Sequence, residues 1–556
     1  MVVQSDIEEG MTVARIRRTP RAVPGMLAVA ITTVALVVSG CSGSSVPVPS
    51  AASALPAHPV SMAAAIVPEP VQVQPAPGVT YTLGSGAVVY TQPGSAAAAQ
   101  IGDYLVSILR PSTGYPLPVR SGTAGGVDTI SLLLSGAPAS VGAQGYQLDV
   151  TADGVAIRAA QPAGLFEGVQ SLRQLLPASI ESPTAQPGPW VVPGGYILDY
   201  PRYAYRGAML DVSRHFFGVA DVERYIDELA LYKIDYLHLH LSDDQGWRIA
   251  ITGWPLLTSV GGASEVGGTA GGYFTQADYK EIVAYAQSRY ITVIPEIDMP
   301  SHVNAALSAY PGLGCLTAAP PHYTQIAGAG STLCDSPETE RFINDVIGQL
   351  AALTPGPYLH IGGDEAFTTS SAVYSAIMSQ AQSAVVADGK TPIGWDAIAD
   401  APLGPKTIAE YWHIPSQPAD ANFLAAASKG LPVIMAPADH AYLDQSYNAA
   451  QTLGLHWAGY VEVQQAYDWD PSSVGPGVPA SSVIGVEAPL WTETLTTMAD
   501  LEYQAFPRLP AIAEIGWSPQ STHNWPSFAT RLGAQAPLWA VLGINYYHSP
   551  QITWAQ

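Results

Sequence analysis

A chain of 556 residues exceeds one average domain and can hold an enzyme-sized core with a second domain beside it. Its 45 Asp and Glu against 22 Lys and Arg leave a formal charge of −23, which excludes the basic footprint that a nucleic-acid or anionic-membrane binder needs. Charged residues make up only 12% and hydrophobic ones 48%, so the body is an acidic, loop-rich globular protein and not a disordered one.

Arg15, Arg17, Arg18 and Arg21 precede an apolar stretch from Met26 to Val38 that runs into Val38-Ser39-Gly40-Cys41. A basic start, a short apolar run and small residues before a break read as an export signal, too short to span a bilayer comfortably. Val-Ser-Gly-Cys resembles the lipobox of bacterial lipoproteins, whose Cys is lipidated; an ordinary cleaved signal with a chance Cys is the alternative. Residues 1–10 are acidic and fit no signal, so Met11 is a candidate start beside Met1. The expectation is a signal over 1–41 with lipidation at Cys41, then a flexible Ser/Ala/Pro tether over 42–66. The protein would sit in the cell envelope, outside the cytoplasmic membrane, or be secreted. Cys315 and Cys334 are the only other cysteines, and an isolated pair in an exported chain suggests a disulfide.

Residues 67–197 read as a small α+β domain. Ile101, Tyr104, Leu105 and Ile108 lie on one helical stripe that should end before Pro111. Thr129 to Leu134 reads as a strand, and Asp153-Gly154 is a hairpin signal between two alternating runs. Leu165, Val169, Leu172 and Leu176 form a second helix face. No acid/base constellation occurs here, so this domain is expected to be a packing partner.

Over 198–556 short apolar runs alternate with helical patterns. The runs are Arg206–Val212, Tyr236–Leu241, Thr292–Ile297, Tyr358–Ile361, Pro392–Trp395, Thr407–Trp412, Pro432–Met435 and Ile484–Leu490. Val222, Tyr225, Ile226, Leu229 and Lys233 mark one intervening helix; Ser336 and Pro337 cap the start of another. Strand–helix alternation implies a parallel sheet, and eight runs match a closed (β/α)8 barrel better than an open doubly wound sheet.

In such a barrel the chemistry lies at the C-terminal ends of the strands. Those ends read Asp211 with Arg214, Asp243-Asp244, Asp298 with His302, Asp364-Glu365, Trp395, Trp412, Tyr442 with Asp444, and Trp491 with Glu493. Acids and Trp gather where a polar, ring-shaped ligand would be held. In His360-Ile361-Gly362-Gly363-Asp364-Glu365 the glycines permit a bend, so that two adjacent acids address one ligand. Adjacent acids raise each other's pKa, favouring one protonated and one ionised partner, as glycosidic cleavage requires.

Arg214-His215-Phe216, His238 through Trp247, Asp298-Met299-Pro300-Ser301-His302, the Gly-Gly-Asp-Glu segment and Trp491-Thr492-Glu493 together resemble glycoside hydrolase family 20. These are the β-N-acetylhexosaminidases, and the likeness is to the actinobacterial exported enzymes. The resemblance implies an exo-acting, retaining enzyme that removes terminal β-linked N-acetylhexosamine, with the substrate's 2-acetamido oxygen attacking the anomeric carbon. On that pattern Glu365 is the general acid and then base, and Asp364 orients the acetamido group. Tyr442 donates to the acetamido oxygen; Trp395, Trp412 and Trp491 wall the pocket, with Trp457 a further wall. Arg214, Asp444 and Glu493 hold sugar hydroxyls; Asp298 and His302 pair to tune Glu365, supported by Asp243. No cofactor is implied. The partners would be N-acetylhexosamine-terminated glycans or chito-oligosaccharides, with no nucleic acid and no membrane beyond the N-terminal anchor. Ser301 stands where the family usually has Gly, which would cost on the order of 1 kcal/mol if that turn needs φ > 0.

Three rivals remain. His238 and His240 lie two apart on a strand, a spacing that can ligate zinc or simply fill a barrel interior. Aromatic walls with acids also suit a non-catalytic sugar-binding lipoprotein. An ordinary retaining glycosidase with a carboxylate nucleophile is the nearest competitor.

Overall fold

The computed structural model describes Met62 and residues 66–123 and 126–555; the expected signal, Cys41 and nearly all of the tether lie outside the described residues. The first sheet holds β1 (Gln72–Thr82), β2 (Val88–Thr91), β3 (Val119–Ser121), β4 (Thr129–Leu133), β5 (Tyr146–Val150), β6 (Gly154–Ala159) and β7 (Val191–Asp199), ordered β1-β7-β5-β6-β4-β2-β3. The expected hairpin joins β5 to β6, with Val150 opposite Val155. β1 carries Pro75 and Pro77, which weaken its strand signal. It sits at the sheet edge and pairs with β7 across a register shift between Pro75 and Thr80, the kind of position to which proline is confined in sheets.

The helix expected to end before Pro111 instead runs Ala96–Thr113. Pro111 falls in the last turn, where a single missing N–H is tolerated, and Gly114 at φ 67° closes the helix onto the Arg110 carbonyl. The helix Pro162–Leu175 is buried on nearly every residue because it lies between this sheet and the barrel. Gly168 lets it sit on Tyr146 and Ile157 with no Cβ in the way, while Gln174 Nε2 donates 3.1 Å to the Leu231 carbonyl of the barrel side.

The barrel strands are β8 (Tyr205–Asp211), β9 (Tyr236–His240), β10 (Thr292–Glu296), β11 (Tyr358–His360), β12 (Thr391–Trp395), β13 (Ile408–Tyr411), β14 (Val433–Met435) and β15 (Val483–Leu490). All eight pair in parallel, and β15 returns to β8 from Gly485 opposite Tyr205 to Leu490 opposite Leu210. Closure removes the edges that an open sheet would leave. The helix Val219–Leu231 stops short of Lys233, which takes φ 63° and turns its buried ammonium toward Asp199 at 3.4 Å. Asp199 also accepts from Tyr146 Oη and Trp517 Nε1 at 2.7 and 2.9 Å, so this carboxylate joins the two domains.

Candidate active site

The Gly-Gly-Asp-Glu segment leaves β11 through a turn that only glycine permits at its start. Gly362 and Gly363 have φ of 66° and 115°, and Glu365 itself sits at 48°. A Cβ on Gly362 would collide with the Asp298 carboxylate, and Asp298 Oδ1 accepts the Gly363 N–H at 3.1 Å. Tyr374, on the helix Ser371–Ala387, holds the same turn from outside with its hydroxyl 2.8 Å from the Gly363 carbonyl. The two acids therefore point into one cleft but differ in surroundings: the Asp364 side chain is 16% exposed and that of Glu365 43%.

His302 faces both acids, its Nε2 lying 3.6 Å from Glu365 and 3.8 Å from Asp364. The expected Asp298–His302 pair lies in one cluster with Asp243, their ionisable atoms within 4.8 Å of one another. His302 Nδ1 meets Asp243 Oδ1 at 3.3 Å, while Asp298 Oδ1 accepts the Gly363 amide. Asp243 is a junction: its Oδ2 also takes His240 Nε2 at 2.9 Å and Arg214 Nη2 at 2.8 Å. Arg214 is positioned in turn by Asp211, which accepts its backbone N–H at 3.1 Å and its Nη1 at 3.3 Å. Its guanidinium lies 4.7 Å over the Trp491 ring.

These contacts set the charges. Burial pushes the His302 imidazole down, but Asp243 and the acid pair outweigh it and hold it well above the usual range. Burial raises Asp364, Glu365 adds to that, and His302 opposes it, leaving Asp364 at about 6. Burial also acts on Glu365, yet the nearby His302 imidazole, with Arg214, keeps it below an ordinary carboxyl. Below about pH 6 the free pair's proton thus rests on Asp364, the reverse of what a waiting general acid suggests.

Beyond the pair the pocket is aromatic and acidic. Trp395 forms its floor at 1% exposure, with its indole N–H on Glu296 at 3.0 Å and Trp491 at 5.8 Å between ring centres. Trp457 stands edge-on to Trp412 and Tyr442, 5.9 Å from each. Burial, with Glu410, Asp444 and Asp364 nearby, keeps the Tyr442 hydroxyl protonated far above pH 10. Burial and Glu493 raise Asp444 well above its usual value; burial takes Glu493 to about 7 against the pull of Arg214. Asp364 Oδ1, Asp444 Oδ1, Arg214 Nε and His302 Nε2 are buried without a hydrogen-bond partner. A hydroxyl- and amide-bearing ligand would satisfy such groups.

Glu296 was missed by the strand-end reading, because it ends β10 with its side chain inside the barrel. Fully buried, it faces His238 Nε2 at 3.0 Å, His360 Nδ1 at 2.9 Å, Trp395 Nε1 and His240 Nδ1. Both His238 nitrogens face carboxylates, the other being met by Glu487 at 2.8 Å. The period-2 spacing of the two histidines was the available signal; their common partner was not.

Cys315 and Cys334 form a disulfide with Cα atoms 5.8 Å apart. The segment it brackets is bound to Asp244, which accepts Ala329 N–H at 2.6 Å and Ser331 Oγ–H at 2.5 Å. Ser331 Oγ accepts the Val303 amide at 2.8 Å, so the bracketed loop braces the turn that carries His302.

Adjacent carboxyl groups in unequal surroundings beside a cluster of Trp side chains, at the C-terminal face of a closed barrel, place the protein among the glycoside hydrolases. The family model "Glycosyl hydrolase family 20, catalytic domain" matches residues 203–520, and "Glycosyl hydrolase family 20, domain 2" matches 63–200. A β-N-acetylhexosaminidase of Cellulomonas fimi is 40% identical over 491 residues, covering 88% of this chain and 97% of the relative. Among solved structures, the GH20 β-N-acetylhexosaminidase of Streptomyces coelicolor A3(2) superposes with a TM-score of 0.86 at 52% identity, over 90% of this chain and 100% of that one. A variant Streptomyces plicatus β-hexosaminidase in complex with its product GlcNAc has the same TM-score and identity, over 90% of this chain and 99% of that one. The chain belongs to glycosyl hydrolase family 20 and is a glycosidase with β-hexosaminidase activity.

Proposed function

We propose that the enzyme removes single N-acetylhexosamine units from the non-reducing ends of β-linked glycans or chito-oligosaccharides, with retention, through an oxazolinium-type intermediate. The carrying observation is the inequality of Asp364 and Glu365: their side chains are 16% and 43% exposed, with one imidazole 3.8 and 3.6 Å from them. Substrate entry would reverse their charges. The acetamido N–H donating to Asp364 favours its ionised form, and loss of water around Glu365 favours its protonated form. Glu365 then gives its proton to the glycosidic oxygen while Asp364 steadies the acetamido group, whose oxygen attacks the anomeric carbon. That oxygen replaces the leaving group, and the sugar needs no protein nucleophile. Water, deprotonated by Glu365, opens the ring in the second step.

Tyr442 would donate to the acetamido oxygen, and Trp395, Trp412, Trp457 and Trp491 would enclose the sugar. The proton-bearing Asp444 and Glu493, with Arg214, would grip its hydroxyls. The GlcNAc complex of the Streptomyces plicatus relative supports GlcNAc as one substrate sugar. The basic and apolar stretch before Cys41 supports export, with lipidation of Cys41 as the anchor.

The test compares an aryl N-acetyl-β-glucosaminide with the matching plain β-glucoside, with and without a thiazoline mimic of the cyclised intermediate. Only the acetamido substrate should turn over, and the thiazoline should inhibit strongly. Glu365→Gln should lose roughly 10²–10⁴-fold on substrates with poor leaving groups. Comparable turnover of the plain glucoside would overturn the reading.

A further inference from the structure

The most exposed large apolar side chain among the described residues is Phe367, 88% open, two residues beyond Glu365. Its exposure is enforced. The Phe367 amide bonds the Glu365 carbonyl at 2.7 Å, making a tight turn that leaves the ring open to solvent two residues from the acid. The next two residues are pinned to the disulfide-bracketed loop: Thr368 Oγ1 donates to the Gly330 carbonyl at 2.9 Å, and Thr369 Oγ1 lies 2.6 Å from Thr332 Oγ1. That loop comes back past His302, with Gly328 so placed that a Cβ there would lie 3.6 Å from the imidazole, and it presents Ile326, 45% exposed. The mouth of the site at Glu365 is therefore flanked by an apolar ring and an apolar side chain on two tethered loops.

On the reading given under Proposed function, what must lie there follows from bond connectivity. Glu365 protonates the glycosidic oxygen, so the first atom of the leaving group is one bond from its proton, on the exposed side of the carboxyl. We propose that Phe367 is the platform for the leaving group, and that its ligand is the apolar C–H face of a pyranose ring: the penultimate sugar of the chain being trimmed. Aromatic rings offer a flat apolar face of matching size, and the tethers at Thr368 and Thr369 hold the backbone that carries this one. Phe367 is thus a specificity residue for the aglycone and takes no part in the bond-making steps.

The test measures kcat and KM for N,N'-diacetylchitobiose, whose leaving group is a ring, and for methyl N-acetyl-β-glucosaminide, whose leaving group has none. Phe367→Ala should lower kcat/KM on the disaccharide about fivefold, mainly through KM, in line with the strength of one ring contact. It should leave the methyl glycoside and the thiazoline inhibition constant unchanged, while Phe367→Trp keeps the disaccharide rate. Equal losses on both substrates would mean that the turn, and not a ring contact, had been damaged, and would overturn the proposal; so would unchanged kinetics on both. Failure of the wild-type enzyme on both substrates would instead count against the hexosaminidase mechanism itself.

Discussion

Ser301 donates its hydroxyl hydrogen bond to the backbone carbonyl of Asp364. Two loops that leave different strands, one bearing His302 and the other the acid pair, are thereby joined by this hydroxyl in addition to the Asp298 carboxylate. The left-handed conformation in this turn belongs to His302, at φ 56°, and not to Ser301. The backbone penalty expected for Ser in place of Gly therefore does not arise, and the hydroxyl adds a contact that glycine could not make.

Removing that hydroxyl should loosen the acid pair relative to the imidazole. Ser301→Ala is expected to lower kcat about three- to tenfold with KM little changed, the effect of one net hydrogen bond of about 0.5–1.5 kcal/mol. Ser301→Thr, which keeps the donor, should retain most of the rate. Steady-state kinetics on an aryl glycoside check this, and equal rates for the Ala variant and the wild type would refute it.

The pH dependence follows from Asp364. Its carboxyl is raised to about 6, so the free pair carries one proton below that pH and loses it above. In the proposed mechanism the productive complex carries the same number of protons, moved to Glu365. Binding below about pH 6 therefore needs no proton uptake, whereas above it kcat/KM should fall about tenfold per pH unit. The alkaline limb of kcat, which reports the complex, should lie higher. In Asp364→Asn Glu365 is the one member of the pair left to titrate, and its lowered value should move the pair's contribution to the kcat/KM limb to more acid pH. The same limb in wild type and variant would remove Asp364 from this role.

Glu296 touches no substrate in the proposed mechanism, yet it gathers His238, His240, His360 and Trp395 around one buried carboxylate. Burial opposes its charge, but the three imidazoles outweigh that and hold it well below the ordinary carboxylate range. Glu296→Leu removes the buried carboxylate these imidazoles share, leaving His238 only Glu487 and His240 only Asp243, and should destabilise the fold by about 3–5 kcal/mol. Thermal unfolding measures the loss; a melting temperature within a degree of wild type would show that the cluster is not held by this charge.

Local pattern determined much of this protein. The eight barrel runs, the hairpin at Asp153-Gly154 and the gathering of acids and Trp at strand ends are short-range features, because the two-residue period of a strand and the φ freedom of glycine act within a few positions. Pattern failed where a residue's signal and its place diverged. Pro75 and Pro77 disguised β1, whose edge position alone makes them tolerable, and Pro111 disguised a helix that had only one turn left to run. Partner choice belonged to the tertiary structure. His302 could have hydrogen-bonded to Asp298 or Asp243 on sequence grounds; barrel closure brings Asp243 up from the end of β9 and sets Asp298 on the Gly363 amide. Which of two adjacent acids holds the proton is likewise decided by burial and by charges from distant segments. The field at a carboxyl depends on distances across the barrel, and no spacing along the chain encodes those.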